Sequence, residues 1–166
     1  IWLFSAFFLD GYGAAGNALG GRLLGEKNFS GLWQLTKKLN LYNLAVAAML
    51  VLLGLVFYNP LGLLFNKDYN VLSIFYGMFF MVLISQPLNA LAFTLDAIFK
   101  GIGEMGYLRN VLLGATLFGF IPTLYFSKYM NWGLIGIWLA ILVWVAFRAV
   151  ALLVKFKNKY YPLAVK

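Results

Sequence analysis

Five long apolar stretches limit what this chain can fold into. Each is close to the ~20 residues that a helix needs to cross the ~30 Å hydrocarbon core of a bilayer. The stretches are too long for β-barrel strands, and they lack the alternation of apolar and polar residues that such strands show. The sequence therefore predicts an all-α membrane protein with five transmembrane helices. The predicted spans are residues 1–24, 39–58, 71–99, 107–126 and 133–154.

Composition agrees with a membrane location. Charged residues make up only 11% of the chain, whereas a water-soluble domain carries about 25%. The absence of cysteine and histidine excludes disulfides and thiolate or imidazole metal ligands. The first stretch begins at Ile1 without the charged segment of a signal peptide before it. We expect a fragment of a larger membrane protein, with an amphipathic connector before the second span whose helix could start at Ser30.

The basic residues predict which helix ends face the cytoplasm. If the first span runs from outside to inside, only Lys67 and Lys128 of the thirteen Lys and Arg residues fall outside. This bias is the positive-inside pattern, and it predicts a cytoplasmic C-terminus. The net charge of +8 then follows from topology and does not indicate a nucleic-acid partner. The eleven residues assigned to the inner side are Arg22, Lys27, Lys37, Lys38, Lys100, Arg109, Arg148, Lys155, Lys157, Lys159 and Lys166.

Two carboxylates lie inside the apolar stretches and are the strongest sign of function. Asp10 has no basic residue within eleven positions, whereas Asp96 is four residues from Lys100. A charge in hydrocarbon costs about 3 kcal/mol or more, so an intramembrane acid suggests a functional role. Such an acid could exchange a proton near neutral pH, or hold Na⁺ if other oxygens lie nearby. The alternative is a structural acid that pairs with a buried Arg or Lys, or reaches water at a helix end.

Pro87 lies within the third stretch, with Ser85, Gln86 and Asn89 around it. Because proline removes a backbone hydrogen bond, we predict a helix kink at this position. In a membrane, neighbouring groups or cavity water must satisfy the freed carbonyl. The polar cluster therefore either supports the kink or lines a cavity, and the sequence leaves both open.

Glycine residues crowd the first stretch and the turn after the third. Spacings of four, such as Gly16 to Gly20 and Gly21 to Gly25, let helix backbones approach closely. A glycine-rich helix beside a cavity can also bend. The segment from Gly101 to Gly106 matches the GxGxxG nucleotide pattern, but an apolar run precedes it and no acid follows Glu104. We interpret it as a tight turn between two spans.

The segments FFLDGYGAAGNALGGRLLGEKN and QPLNALAFTLDAIFKGIGEMGYLRNVLL resemble the multidrug and toxic compound extrusion (MATE) transporters, and most of all the branch of the DNA-damage-inducible protein F. The resemblance covers most of the chain and aligns it with helices eight to twelve of a twelve-helix protein. The chain would then form most of the C-terminal six-helix lobe. Asp10 and Asp96 match acids of the family pattern, and Arg109 matches a basic residue after the tenth helix. Asn17 departs from the pattern, because this branch commonly has Glu there. The departure removes a carboxylate and weakens the case for a proton relay centred on Asp10.

The resemblance implies an antiporter of the bacterial inner membrane that works by alternating access. It would export organic, often cationic, compounds in exchange for H⁺ or Na⁺, with no cofactor beyond that ion. The implied partners are small organic substrates, membrane lipid and the missing N-terminal lobe. Asp10 and Asp96 are then the candidate coupling residues, and aromatic rings could stack on flat cations. The candidate cavity and substrate residues are Tyr12, Asn17, Gln86, Asn89 and Phe93.

Three alternatives stay open. A lipid-linked saccharide flippase of the same superfamily would need basic cavity residues to bind a pyrophosphate, and we expect no Arg or Lys at mid-depth. A membrane-embedded enzyme would need a nucleophile with its base or a metal cluster, and only the two Asp residues could supply one. A non-transporting assembly subunit would tolerate the loss of both acids.

Overall fold

A computed structural model of the chain describes residues 2–165. The predicted start of the first span at Ile1 and the basic residue Lys166 lie outside the described residues. The described residues form helices joined by short turns, which confirms the all-α prediction. A π-helical segment, Ala115–Phe120, joins α5 to α6 in one continuous helix. The helices are α1 (Trp2–Gly25), α2 (Phe29–Val56), α3 (Tyr58–Phe65), α4 (Tyr69–Gly101), α5 (Met105–Gly114), α6 (Ile121–Tyr129) and α7 (Gly133–Ala164).

Four helices in the described part of the chain are long and apolar enough to cross a membrane. They are Phe29–Val56, Tyr69–Gly101, Met105–Tyr129 and Gly133–Ala164. The chain is therefore an integral membrane protein. Helix α1 has 24 residues but is less apolar, because glycines and the side chains of Asp10, Asn17 and Arg22 interrupt it. A fifth crossing by α1 stays a prediction.

Two helices extend well beyond the predicted spans. Helix α2 begins at Phe29, ten residues before the predicted span, because Asn28 caps it. The side chain of Asn28 accepts a hydrogen bond from the backbone N–H of Gly31 at 2.8 Å. The expected connector is thus part of α2, and α7 likewise continues ten residues past the predicted end at residue 154. Hydropathy marks where a helix enters hydrocarbon rather than where the helix ends.

Glycine allows α1 to pack closely on α4. A Cβ atom at Gly16 would lie 3.3 Å from the side chain of Ile98, and one at Gly21 would lie 2.7 Å from the backbone oxygen of Gly101. Only small residues permit backbones to approach this closely. The helix-packing interpretation therefore holds for Gly16 and Gly21, whereas Gly25 has no such neighbour within 4 Å.

The turn between α4 and α5 is the segment that matches the nucleotide pattern. Helix α4 ends at Gly101, and α5 begins at Met105. Gly103 has a φ of +77°, which favours glycine. The backbone N–H of Glu104 donates to the carbonyl of Phe99 at 3.0 Å and closes the turn. The tight-turn interpretation is confirmed.

The largest apolar core lies beside this turn. Glu104 Oε1 accepts hydrogen bonds from the hydroxyl of Tyr160 and from Nζ of Lys159, both at 2.6 Å. The ring of Trp33 stacks on that of Phe156 at 5.8 Å between centroids. The start of α2, the α4–α5 turn and the end of α7 thus meet at one end of the bundle, which we call the basic end. The core residues are Leu32, Leu39, Leu95, Ile98, Phe99, Ile102, Leu108, Val111, Leu152, Phe156 and Tyr160.

Glu104 is the acid of this basic end that contacts the end of α7. Partial burial raises the pKa of Glu104, but the hydrogen bonds from Lys159 and Tyr160 and the charge of Lys159 outweigh it. The pKa of Glu104 therefore lies below its ordinary value. Because α7 supplies both partners, the carboxylate stabilises the contact between the end of α7 and the α4–α5 turn.

Candidate functional site

Asp10 and Asp96 line one cleft, which we call the charged cleft. It has a volume of about 300 Å³ and lies between α1, α4 and α7. Two carboxylates and two cationic side chains share this space, which is large enough for about ten water molecules. The cleft is lined by Leu3, Ala6, Phe7 and Asp10 from α1, by Phe93, Asp96 and Lys100 from α4, and by Arg148 from α7.

Helix periodicity and glycine packing explain why these residues meet. Residues three or four positions apart lie on one face of a helix, which places Phe93, Asp96 and Lys100 on one side of α4. On α1, Gly13 brings the turn that carries Asp10 against α4. A Cβ atom at Gly13 would lie 3.2 Å from Cβ of Ala97 and 3.1 Å from Oδ1 of Asp10. The two acids therefore face the same cleft because the backbones of α1 and α4 nearly touch.

Asp96 forms a buried ion pair with Arg148. The Nε of Arg148 donates to Oδ1 of Asp96 at 3.1 Å, and its Nη2 contacts Oδ2. The two side chains are only 7% and 11% exposed. Such paired contacts between guanidinium and carboxylate are stronger than neutral hydrogen bonds. Removing one partner from a buried pair is strongly unfavourable, because the other charge is left uncompensated.

Two aromatic rings flank the guanidinium of Arg148. Its central carbon lies 5.2 Å from the ring centroid of Trp144 and 5.9 Å from that of Phe93. Aromatic faces attract cations at these distances. Arg148 is therefore held by a carboxylate and by two rings, one from α4 and one from its own helix.

Arg148 is buried inside the bundle, opposite Asp96, and is the sixteenth of the 32 residues of α7. The sequence assigned it to the cytoplasmic C-terminal end and expected no Arg or Lys at mid-depth. Both statements concern depth in the membrane and stay predictions. Lys100, the neighbour that the sequence suggested for Asp96, is exposed. Asp96 thus has a buried basic partner, but the partner comes from another helix.

Asp10 differs from Asp96 in its surroundings. It is exposed, and it forms no ion pair among residues 2–165. Leu3 and Phe7, on the same face of α1, are 68% and 77% exposed. This face of α1 is therefore uncovered by the described chain, and Asp10 is the more exposed of the two acids in the cleft.

The other predicted site residues do not gather in the charged cleft, apart from Phe93. Tyr12 and Asn17 lie on exposed positions of α1. Gln86 is buried and lines a different, largely apolar cleft of about 480 Å³ between α1, α2, α3 and α4. Asn89 is buried within α4. The roles of these four residues stay predictions.

Polar side chains around Pro87 bond to one another and to the backbone. The hydroxyl of Ser85 and Nε2 of Gln86 both donate to the carbonyl of Val82, at 2.7 and 2.8 Å. Asn89 Nδ2 donates to Oγ of Ser85 at 3.3 Å. The accepting carbonyl is that of Val82, whereas Pro87 removes the donor to the carbonyl of Leu83, so backbone support and cavity lining both stay open as roles of the cluster. Helix α4 continues through Pro87, and the kink stays a prediction.

Sequence reasoning missed Asn43, which joins three helices. Its Nδ2 donates to the carbonyl of Leu9 at 2.9 Å, to the carbonyl of Ala90 at 3.2 Å and to the hydroxyl of Thr94 at 2.9 Å. The bond to Leu9 fixes α1 one residue before Asp10. An amide in an apolar span was the available signal, because such residues bond across helices in membranes; Asn40, three residues earlier, carries the same signal.

Comparison with known proteins finds relatives in a plant. The chain is 28% identical over 150 residues to Protein DETOXIFICATION 43 of Arabidopsis thaliana, which covers 90% of the chain and 28% of that protein. It is 28% identical over 152 residues to the chloroplastic DETOXIFICATION 44 of the same plant, which covers 91% of the chain and 29% of that protein. The chain thus spans under a third of the length of these curated relatives. No solved structure matches the chain.

The family comparison covers most of the sequence. The MatE family model matches residues 1–126, which are 126 of the 166 residues and include both acids of the cleft. Helix α7, with Arg148, lies beyond the matched region. Because the match extends over well more than half of the chain, the chain belongs to the MatE family of transporters and is not an enzyme.

Proposed function

We propose that this chain is most of the C-terminal lobe of a MATE-type antiporter. The complete protein would export organic, often cationic, compounds in exchange for H⁺ or Na⁺. The observation that carries the proposal is the charged cleft of this chain, which belongs to the MatE family. The cleft holds one carboxylate without an ion-pair partner in the described residues, Asp10, and one that is paired, Asp96. The assignment to the C-terminal lobe and to the DNA-damage-inducible protein F branch rests on the two sequence segments. A bacterial inner membrane is proposed on the same basis, although two of the plant relatives are named chloroplastic.

Asp10 is the better candidate for reversible ion binding. It lines the cleft without an ion-pair partner in residues 2–165, whereas Arg148 already neutralises Asp96. A proton or Na⁺ at Asp10 drives transport only if it binds one conformation more tightly than the other. Helix α1 packs on α4 through Gly13 and Gly21, so a change of charge at Asp10 acts directly on the α1–α4 contact.

The pair of Asp96 and Arg148 supplies a second place where charge can change. A proton or cation that took the place of the guanidinium at Asp96 would release Arg148 into the cleft. The other acid lining that cleft is Asp10. Because α7 carries Arg148 and α4 carries Asp96, exchange of partners would couple ion binding to the packing of α4 against α7.

Substrate recognition follows from the same arrangement. The ring of Phe93 lies beneath the guanidinium of Arg148, so it would be open to a cationic substrate only when Arg148 moves away. Tyr12 offers a second ring at an exposed position of α1, and Asn17 an amide at another exposed position five residues further along. Gln86 and Asn89 remain candidate cavity residues of this proposal, although both are buried in the described chain.

A flippase of the same superfamily is the second candidate, and Arg148 is the observation that favours it. A basic side chain does lie inside the bundle, as binding of a pyrophosphate requires. However, the bidentate contact with Asp96 neutralises its charge. The antiporter therefore accounts better for the cleft.

Transport by the protein expressed from its complete reading frame tests this proposal. The purified protein is placed in liposomes, and movement of ethidium is followed after an H⁺ or a Na⁺ gradient is imposed separately. An antiporter moves the dye in response to one of these gradients and stops when the gradient is collapsed. A flippase would move a fluorescent lipid-linked saccharide instead, and an assembly subunit would move neither. Either of these results would overturn the proposal.

A further inference from the structure

We propose that a groove at the basic end binds one anionic phospholipid of the cytoplasmic leaflet. The groove has a volume of about 350 Å³ and lies between α2, α4 and α7. It shares no residue with the charged cleft. The assignment to the cytoplasmic leaflet rests on the proposed topology, whereas lipid binding itself does not depend on transport.

The groove is polar at one end and apolar along the rest. Lys37 of α2 and Lys157 of α7 lie at the polar end, whereas Leu44, Leu91 and Leu153 line the apolar part. Leu44 is seven residues further along α2 than Lys37, which corresponds to about 10 Å at 1.5 Å per residue. A phospholipid matches this order over the same distance, because its anionic phosphate would lie at the lysines and its acyl chains along the leucines.

Trp33 places the polar end at the level of the lipid head groups. Its ring lies 5.8 Å from that of Phe156 and 5.2 Å from that of Tyr161, and Nζ of Lys37 lies 5.4 Å from its centroid. Trp and Tyr concentrate at the boundary between membrane and water. The same contacts hold the first turns of α2 against the end of α7, so the walls of the groove are fixed by packing.

The charge of the groove is uncompensated. The acids of the basic end are already engaged, since Glu26 pairs with Arg22 and Glu104 pairs with Lys159. Neither Lys37 nor Lys157 forms an ion pair among residues 2–165. Basic pockets between transmembrane helices on the cytoplasmic side bind anionic head groups. An apolar helix from the rest of the protein would leave both lysines without a partner, which favours a phospholipid as the occupant.

Retention of lipid by the complete protein tests the proposal. Protein is released from vesicles that contain equal amounts of phosphatidylglycerol and phosphatidylcholine, and native mass spectrometry identifies the lipid that stays bound. We expect the wild type to retain phosphatidylglycerol. Lys37→Gln/Lys157→Gln should weaken that retention roughly 25-fold, since each lysine near an anionic lipid contributes about a factor of five. Lys37→Arg/Lys157→Arg should retain the preference.

The matched control removes two positive charges elsewhere. Lys67→Gln/Lys128→Gln lowers the net charge equally, but both positions lie away from the groove, so retention should stay at the wild-type level. Equal loss in the two glutamine variants, or no loss in either, would overturn the proposal. A photo-cross-linking amino acid at Leu44 identifies the occupant directly. Capture of phospholipid is expected, and capture of another segment of the same protein would contradict it.

Discussion

Breaking the ion pair between Asp96 and Arg148 should be far more costly than breaking an exposed pair. Arg148→Met removes the guanidinium and leaves a carboxylate that is 7% exposed with no other cation bonded to it in the described chain. Loss of one partner of a buried pair costs about 3–5 kcal/mol. Asp96 lines the charged cleft together with Lys100, whose positive charge offsets part of this cost, so we expect a value near the lower end, about 3 kcal/mol.

The double variant sharpens this prediction. In Asp96→Asn/Arg148→Met neither side chain carries a charge, and replacement of both partners of a buried pair is often nearly neutral. The double variant should therefore be more stable than Arg148→Met alone, although it carries one more substitution. The free energy of unfolding in mixed detergent micelles, measured for the wild type, both single variants and the double variant, gives the coupling energy.

The matched control is the pair of Arg22 and Glu26, which is exposed at 71% and 49%. Arg22→Met should cause no measurable change, because water solvates both groups of an exposed pair. The reasoning fails if Arg148→Met is no more destabilising than Arg22→Met. It also fails if the two substitutions at Asp96 and Arg148 are simply additive, because the ion pair would then contribute nothing as a pair.

Three further predictions concern packing, pH and topology. Gly21→Ala should destabilise the bundle by about 1–3 kcal/mol, because its Cβ would lie 2.7 Å from a backbone oxygen of α4. Gly25→Ala should not destabilise it, because no atom lies within 4 Å of a Cβ at that position. Equal thermal stability of the two variants would contradict this packing. The pKa of Glu104 lies below its ordinary value of 4.5, so its ionised form stabilises the folded state above that pH and loses this effect as the pH falls. Glu104→Gln should therefore be less stable than wild type at pH 7, and the difference in the free energy of unfolding should shrink as the pH falls below 4.5. A difference that grows with acidity would refute this. The chain has no cysteine, so single cysteines introduced at Lys67 and Lys38 can be labelled with an impermeant thiol reagent in intact cells. Only the cysteine at position 67 should react. Labelling at position 38 alone would contradict the predicted topology.

Hydropathy predicted the helices because bilayer thickness sets a length that apolar runs must match. It could not predict where α2 begins, since the Asn28 cap and the first turns of α2 lie outside the apolar run. Hydropathy also missed the end of α7. The apolar signal ends at Lys155, Lys157 and Lys159, but the helix continues to Ala164. These charged turns carry the contacts of the basic end.

The candidate site was predicted only in part. Asp10 and Asp96 were identified because a carboxylate in an apolar run is rare, and this signal is local. Arg148 is the one charged residue of the predicted span 133–154, so the same local signal was available for it. Its pairing with Asp96, 52 residues away, could not be predicted, because no local pattern links the two residues. The shared cleft also depends on the packing of α1 on α4 through Gly13, a contact between segments more than 80 residues apart.

The most direct test of the account compares gradient-driven dye transport by Asp10→Asn and Asp68→Asn. Both variants lose one carboxylate. Asp68 caps α4 by accepting a hydrogen bond from the N–H of Asn70 at 2.9 Å, and Asn can cap a helix equally well. The account predicts that Asp10→Asn abolishes ion-driven transport in liposomes while Asp68→Asn keeps it. Asp96→Asn should also abolish it. Unchanged transport in both Asp10→Asn and Asp96→Asn would show that the charged cleft does not couple ion flow to transport.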